Sequence, residues 1–165
     1  MTDILSRPAT EADAAAITRV YNPAVEHTTA TFDTDPQSVE TRLEWLRTHD
    51  DPRHPVIVAE SEGEVVGWAS LSMWSDRCAY AASVEASTYV DDSHLGRGIG
   101  RLLSEAVLET GRAAGVHAVL ARICTENVAS IRMSKKLGFT EVGVLHEVGR
   151  KFDRWLDVMM LEKLL

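Results

Sequence analysis

The sequence predicts a mixed α/β fold in which helices flank one central β-sheet, and three observations support this prediction. Short apolar runs of period two alternate along the chain with segments of helical period. A strand-like run over residues 83–90 leads through a turn with three glycines into an amphipathic helix. The 165 residues contain no internal repeat and no linker-like segment, so we expect one domain over residues 1–165.

The spacing of the apolar residues predicts the individual strands and helices. Period-two runs predict strands over residues 4–7, 56–60, 65–71, 83–90, 117–124, 139–145 and 155–164. Helical spacing predicts helices over residues 10–21, from Asp35 to Leu46, from the glycine turn to about residue 114, and over residues 127–137.

Capping residues and prolines indicate where these helices begin and end. Thr10 and Asp13 resemble a capping box at the start of the first helix. Pro23 should disturb that helix near its end, because proline cannot continue the hydrogen-bond ladder. Asp35 is the predicted cap of the second helix, with a proline in its first turn. The polar, β-branched residues 27–32 predict a loop between the two helices.

The glycine turn predicts an anion site. Gly96, Gly98 and Gly100 precede a helix whose first N–H groups lack intrahelical partners, and glycine lets a ligand approach the backbone closely. The chain has no Gly-Lys-Ser/Thr, and its Gly-x-Gly-x-Gly spacing differs from the dinucleotide fingerprint. The remaining interpretations are a different phosphate-bearing ligand or a turn that binds nothing.

Composition excludes several other classes of function. The net charge of −8 argues against nucleic acid as a partner and, more mildly, against an anionic membrane. We find no apolar run of membrane-spanning length and no leader-like pattern, so a cytoplasmic protein is expected. Cys78 and Cys124 have no metal-ligand spacing and are expected to be free thiols. The six histidines are scattered, and no metal is predicted.

Several segments together resemble the GNAT superfamily of acetyl-CoA-dependent N-acetyltransferases. The glycine turn is followed by Asn127 at a helix start and by the Leu-Gly-Phe segment at 137–139. Further segments are similar to the branch that acetylates phosphinothricin and methionine sulfoximine, at residues 21–22, 28–32, 74–80, 84–85, 89–90 and 152–157. This resemblance implies a homodimeric enzyme with a mixed sheet and a splayed strand pair at the acetyl-CoA site. Its acceptor would be the α-amine of a glutamate-like or methionine-like amino acid.

The resemblance also implies which residues hold acetyl-CoA. Backbone N–H groups of the glycine turn would bind the pyrophosphate, and the preceding strand would hold the pantetheine arm. The implied residues are Thr88, Tyr89, Val90, Gly96, Arg97, Gly98, Ile99, Gly100, Arg101, Asn127 and Ser130. Leu95 stands where the family prefers a basic or amide side chain. The charge of Arg97 and Arg101 could compensate, or both arginines could simply be solvated.

Glu85 is the predicted general base. A protonated amine cannot attack a thioester, and a carboxylate in the cleft can take its proton directly or through a water. The alternative is a structural glutamate held in an ion pair. The general acid stays open, because Ser134 occupies a position where relatives carry tyrosine or histidine.

Arg77 is the predicted anchor for an anionic group of the acceptor, since its guanidinium can donate two parallel hydrogen bonds. The other predicted substrate contacts are Phe32, Trp74, Ser75, Asp76, Tyr80, Glu85, Ala86 and Ser87. By analogy with the dimeric family, Phe32 could come from the partner subunit. Two alternatives stay open: acetylation of a polyamine, an aminoglycoside or a peptide N-terminus, and a non-catalytic acyl-CoA-binding module.

Overall fold

A computed structural model describes residues 4–165 of the chain. Its strands are β1 Ile4–Pro8, β2 Val56–Ser61, β3 Glu64–Met73, β4 Ser83–Val90, β5 Ala118–Cys124, β6 Thr140–Lys151 and β7 Arg154–Leu164. Its helices are α1 Ala14–His27, α2 Val39–Arg47, α3 Ile99–Ala113 and α4 Val128–Lys136. Within these residues, we find no helix long and apolar enough to cross a membrane.

The seven strands form one mixed sheet in the order β1-β2-β3-β4-β5-β7-β6. Neighbouring strands run antiparallel except β4 and β5, which run parallel. The connection between those two strands passes through α3, as a parallel pair requires a crossover. The predicted mixed sheet with flanking helices is therefore confirmed.

Helices cover both faces of the sheet, and each face has its own apolar core. On one face, Ile17 and Val25 of α1 pack with Trp68 of β3. On the other face, Leu103 and Val107 of α3 pack with strand residues and with α4. Because helices cover both faces of the sheet, successive residues in the middle of β3 are all buried, and burial does not alternate along the strand.

Two predicted boundaries differ from the structure in the first helical layer. Helix α1 continues past Pro23 to His27, because the buried residues Tyr21 and Val25 hold its last turn against the core. Helix α2 begins after Ser38, whose hydroxyl accepts a hydrogen bond from the Thr41 N–H at 3.1 Å. Asp35 is therefore not its cap, and the predicted start lies several residues too early.

The third difference concerns β6, which continues to Lys151 instead of ending near residue 145. Two register shifts interrupt its pairing with β7, between Glu141 and Gly143 and between Leu145 and Gly149. Bulges of this kind break the period-two pattern by which a strand is recognised. The second half of β6 therefore has no clear strand signal in the sequence.

The parallel pair β4–β5 separates partway along its length. Pairing covers only residues 83–85 of β4 and residues 118–120 of β5. Beyond Glu85, β4 keeps its full register with β3 but leaves β5. This separation is the predicted splayed strand pair, and it opens the centre of the sheet.

Candidate active site

A cleft of about 520 Å³ lies where β4 and β5 separate. It extends through the sheet, so residues from both helical layers line it. Phe32, Glu85 and Arg122 line the α1 side, whereas Ser104 and Asn127 belong to the α3 and α4 side. A ligand in this cleft therefore meets two different environments.

The β4 edge of the cleft offers backbone hydrogen-bonding groups. The Ser83 carbonyl accepts a hydrogen bond from the Trp74 N–H, and the Asp91 N–H donates to the Val66 carbonyl. The backbone groups of the odd-numbered residues along β4 therefore bond to β3. Backbone groups alternate between the two edges of a strand, so those of Ala86 and Thr88 face the opening. The same holds for Val90. These groups can pair with an extended ligand as a neighbouring strand would.

The glycine turn and the start of α3 supply further N–H groups. Gly96 and Gly98 have φ values of 76° and 81°, a conformation that glycine adopts without strain. The first intrahelical bond runs from the Leu102 N–H to the Gly98 carbonyl at 3.0 Å. The N–H groups at residues 99–101 therefore point out of the helix end, where its dipole favours an anion.

The two arginines of the turn differ in their surroundings. Arg97 lies exposed in the turn. Arg101 pairs with Glu105 one helical turn later, at 2.8 Å between Nε and Oε1. Leu95 is 60% exposed and adds no polar group. The groups that the turn presents to an anion are therefore mainly backbone N–H donors.

Helix α4 completes the cofactor side. The Asn127 side chain caps it by accepting from the Ser130 N–H at 3.2 Å, and both residues line the cleft. Ser134 also lines the cleft and is buried. Thr88 reaches this side too, with its hydroxyl 3.0 Å from that of Ser104. The set of donors fits a pantetheine arm along β4 that ends in a pyrophosphate at the glycine turn.

Glu85 lies at the narrow end of the opening and has an ion-pair partner that the sequence alone did not identify. Arg122 of β5 donates from Nε and Nη2 to the two carboxylate oxygens of Glu85, at 2.6 and 2.5 Å. This pairing raises the pKa of Arg122. The guanidinium also lies 5.6 Å from the centre of the Trp74 ring. An arginine within the otherwise apolar strand 117–124 was the signal available in the sequence.

Tyr89 separates the cleft from the core beneath α1. Its ring meets Tyr21 edge-on at 4.9 Å and lies 4.9 Å from Trp68. Burial raises the pKa of Tyr89 to about 12, so the hydroxyl keeps its proton near neutral pH. That hydroxyl donates to the Ala30 carbonyl at 3.4 Å.

The segment 28–33 forms the opposite wall, and β6 holds it in place. The buried Lys151 ammonium donates to the Thr31 carbonyl at 2.8 Å, and burial lowers its pKa. Phe32 packs so closely on Gly149 that a Cβ added there would lie 2.0 Å from its Cε2. Phe32 thus lines the cleft of its own chain, and its contribution to a partner subunit stays a prediction.

The predicted substrate residues divide into two groups. Phe32, Glu85, Ala86 and Ser87 all line the cleft. The segment from Trp74 to Tyr80 lies outside its walls, and the structure leaves these predicted contacts exposed or partly exposed: Trp74, Ser75, Asp76, Arg77 and Tyr80. Of this segment, Trp74 is linked to the cleft through its contact with Arg122.

Comparison with known proteins decides the family. The sequence model of the protein family described as acetyltransferase (GNAT) domain matches residues 7–160. The chain belongs to the GNAT acetyltransferase family. An L-methionine sulfoximine/L-methionine sulfone acetyltransferase of Salmonella typhimurium is 39% identical over 94% of this chain and 91% of its own. A phosphinothricin N-acetyltransferase of Streptomyces coelicolor is 39% identical, over 98% and 96%.

A solved GNAT structure agrees with this assignment. An acetyltransferase from Salmonella typhimurium, determined with its cofactor acetyl-CoA, superposes with a TM-score of 0.96 and 38% identity. The match covers 99% of this chain and 95% of that one. The predicted family, its fold and the predicted enzyme class of N-acetyltransferase are confirmed.

Proposed function

We propose that this GNAT enzyme transfers the acetyl group of acetyl-CoA to the α-amine of a small amino acid of the methionine sulfone, methionine sulfoximine or phosphinothricin type. The observation that carries the proposal is Glu85 at the point where β4 and β5 separate. A carboxylate there lies between the backbone groups suited to a thioester arm and the wall that contains Phe32.

Acetyl-CoA is the acetyl donor, and the residues on the α3 side fit it. The N–H groups at residues 99–101 would bind the pyrophosphate, and the open edge of β4 would pair with the pantetheine arm. Asn127 lines the same channel. When bound, acetyl-CoA supplies an activated acyl carbon, and a free N–H of β4 can stabilise negative charge on the acyl oxygen.

Glu85 acts on the acceptor in this proposal. The acceptor arrives as an ammonium, and Glu85 takes one proton directly or through a water. The neutral nitrogen then forms the new bond to the acyl carbon while the bond to sulfur breaks, and the second proton that the nitrogen loses on becoming an amide passes to solvent water. Arg122 holds both oxygens of Glu85 and thereby fixes the direction from which the carboxylate meets the amine.

The thiolate that leaves also needs a proton. Ser134 lines the cleft but is too weak an acid to supply it efficiently. We propose that the proton taken by Glu85 returns to sulfur, or that a water supplies it. This direct transfer needs no acyl-enzyme intermediate, so neither Cys78 nor Cys124 takes part in the proposed reaction.

The amino acid class is supported by the relatives and by the polarity of the acceptor side. The relatives at 39% identity are named for methionine sulfoximine, methionine sulfone and phosphinothricin. A non-catalytic acyl-CoA-binding module needs no general base, and in such a module the Glu85 carboxylate would serve only its ion pair with Arg122. Arg77 as the anchor stays a prediction, and its place on an exposed loop gives it no direct support.

A thiol-release assay tests the proposal. Wild-type enzyme and acetyl-CoA are incubated with methionine sulfone, methionine sulfoximine, phosphinothricin, ordinary amino acids, a polyamine and an aminoglycoside. We expect saturable turnover with the first three and little with the polyamine or the aminoglycoside. Turnover with only the polyamine or the aminoglycoside would show that the acceptor is a polycation and not an amino acid. No turnover with any compound would favour a non-catalytic acyl-CoA-binding module.

We also propose a homodimer. The β6–β7 hairpin exposes an apolar surface whose large side chains are Val142, Leu145, Val148, Phe152 and Trp155. Such a patch on an edge hairpin is typical of a surface that a partner covers. Light scattering of the purified protein measures this directly. The cytoplasmic location and the single domain over residues 1–165 stay predictions.

A further inference from the structure

A second cavity of about 210 Å³ lies beneath the acceptor side of the cleft, between α2 and β3. Tyr21, Asp33, Ser87 and Tyr89 line both this cavity and the main cleft. The two spaces thus share walls on one face of β4. We call the smaller space the Arg42 cavity, after the residue of α2 at its base.

Arg42 is unusual among the charged side chains of this protein. It is only 6% exposed, and its Nε has no hydrogen-bond partner among the residues described. Three aromatic rings surround the guanidinium carbon, with centres at 4.6 Å for Tyr21, 4.6 Å for Trp45 and 5.3 Å for Trp68. These rings attract the cation but leave its N–H donors unused.

Two more residues that line the same cavity contain an orphaned polar atom. Trp68 Nε1 and Ser70 Oγ are buried without a partner within residues 4–165. Buried donors of this kind each cost free energy unless a ligand or water satisfies them. Arg42, Trp68 and Ser70 therefore place three orphaned polar groups in the lining of a space that is large enough for a small group.

The lining of the cavity has one positive charge, Arg42, and one negative charge, Asp33, so an anion is favoured at the end next to Arg42. Asp33 lies at its mouth and is exposed, where its carboxylate accepts from the Tyr21 hydroxyl at 2.7 Å. Arg42 lies at the base, where burial strengthens its attraction to an opposite charge. An amino acid presents the complementary pair, an anionic oxygen group beside an ammonium.

We propose that the Arg42 cavity binds an anionic oxygen group of the amino acid acceptor, either the α-carboxylate or an anionic side-chain group such as a phosphinate. This inference rests on the proposed function, since it specifies how the acceptor is held. Arg42 donates to the oxygens, and the shared wall at Ser87 directs the rest of the acceptor towards Glu85. The arrangement selects amino acids over polycations.

Kinetics of Arg42→Met with three acceptors test this inference. Phosphinothricin has two anionic groups, methionine sulfone has only the α-carboxylate, and methionine sulfone α-carboxamide has neither. If the cavity binds the α-carboxylate, KM rises at least tenfold for the first two acceptors and stays unchanged for the carboxamide. If it binds the phosphinate, KM rises for phosphinothricin alone. Either result supports the site.

Controls separate this outcome from a damaged fold. The acetyl-CoA KM should stay at the wild-type value in Arg42→Met, and Arg42→Lys should recover part of the loss. Arg47→Met removes an exposed arginine of the same helix and should change no KM. The same rise for all three acceptors, no rise for any, or a selective rise in Arg77→Met alone would overturn the inference. Failure of the proposed function is distinct, since wild-type enzyme would then turn over none of them.

Discussion

The two sides of the cleft differ in the groups that they present to a ligand, which are backbone groups on one side and side chains on the other. The side proposed for acetyl-CoA presents backbone groups of β4, the glycine turn and the start of α3, which depend on local conformation. The side proposed for the acceptor presents side chains from α1, α2, β4, β5 and β6 that meet only in the folded chain. Backbone recognition tolerates sequence change, whereas side-chain recognition can change with a few residues. The reaction can therefore persist while the acceptor varies.

The largest expected effect comes from the residue at the junction of the two sides. Glu85→Gln keeps the shape of the side chain and removes the base, so kcat should fall by about 100-fold or more. Initial rates between about pH 6 and 9 measure this. The KM for acetyl-CoA should change little, because Glu85 belongs to the acceptor side. An unchanged kcat across this range would show that Glu85 is not the base.

A clash placed behind Phe32 should disturb the acceptor side alone. Gly149→Ala puts a Cβ 2.0 Å from Phe32 Cε2, so the ring must move and reshape that wall. We expect the acceptor KM to rise about tenfold, which corresponds to about 1.4 kcal/mol. Gly143→Ala in the same strand is the matched control, because its Cβ meets no described atom within 4 Å. Equal effects of the two variants would argue against a role for Phe32.

Strain in the glycine turn should disturb the cofactor side alone. Gly98→Ala forces a Cβ into a backbone with φ of 81°, at a cost of about 1 kcal/mol. The turn should shift and raise the acetyl-CoA KM several-fold, with the acceptor KM unchanged. Gly63→Ala introduces the same strain at φ 83° in the β2–β3 turn, which does not line the cleft. It should lower stability without changing either KM.

The smallest effect on catalysis is expected where α1 begins. Asp13 accepts from both terminal nitrogens of Arg7, at 2.8 and 2.9 Å, and this hydrogen bonding lowers its pKa. A depressed carboxyl pKa stabilises the fold above the unfolded value near 4 and ceases to do so as pH falls through the folded value. Asp13→Asn should lose about 2 kcal/mol of unfolding free energy at pH 7.

Urea unfolding at several pH values measures that loss. The difference between Asp13→Asn and wild type should shrink steadily as the pH falls below about 4. Glu11→Gln is the exposed comparison, because its partner Arg47 is also solvent-accessible, and a smaller loss is expected. A loss for Asp13→Asn that is the same at pH 3 and pH 7 would show that the ion pair is not its cause.

The contrast between local backbone features and long-range side-chain contacts also explains which parts of the site the sequence could predict. The strand, the glycine turn at residues 96–101 and the cap at Asn127 are local patterns, and all lie where the prediction placed them. Glu85 was recognisable as an acid within an apolar strand. Its partner Arg122 is 37 residues away, and only the parallel pairing of β4 and β5 brings the two together.

Residues that the sequence did not identify have long-range roles. Arg42 has the spacing of an ordinary solvated helix residue, and its burial depends on aromatic rings from α1 and β3. Lys151 lies beyond two register shifts that conceal the second half of β6. Local patterns therefore predict the cofactor side well. The acceptor side requires tertiary contacts that neither periodicity nor capping encodes.

The position of the transferred acetyl group tests the proposed reaction directly. Wild-type enzyme is incubated with acetyl-CoA and methionine sulfone, and mass spectrometry with fragmentation locates the acetyl group on the products. We expect methionine sulfone with one acetyl group on its α-nitrogen, formed in step with free CoA thiol, and unmodified protein. Unmodified methionine sulfone, or an acetyl group retained on the enzyme, would contradict the proposed reaction.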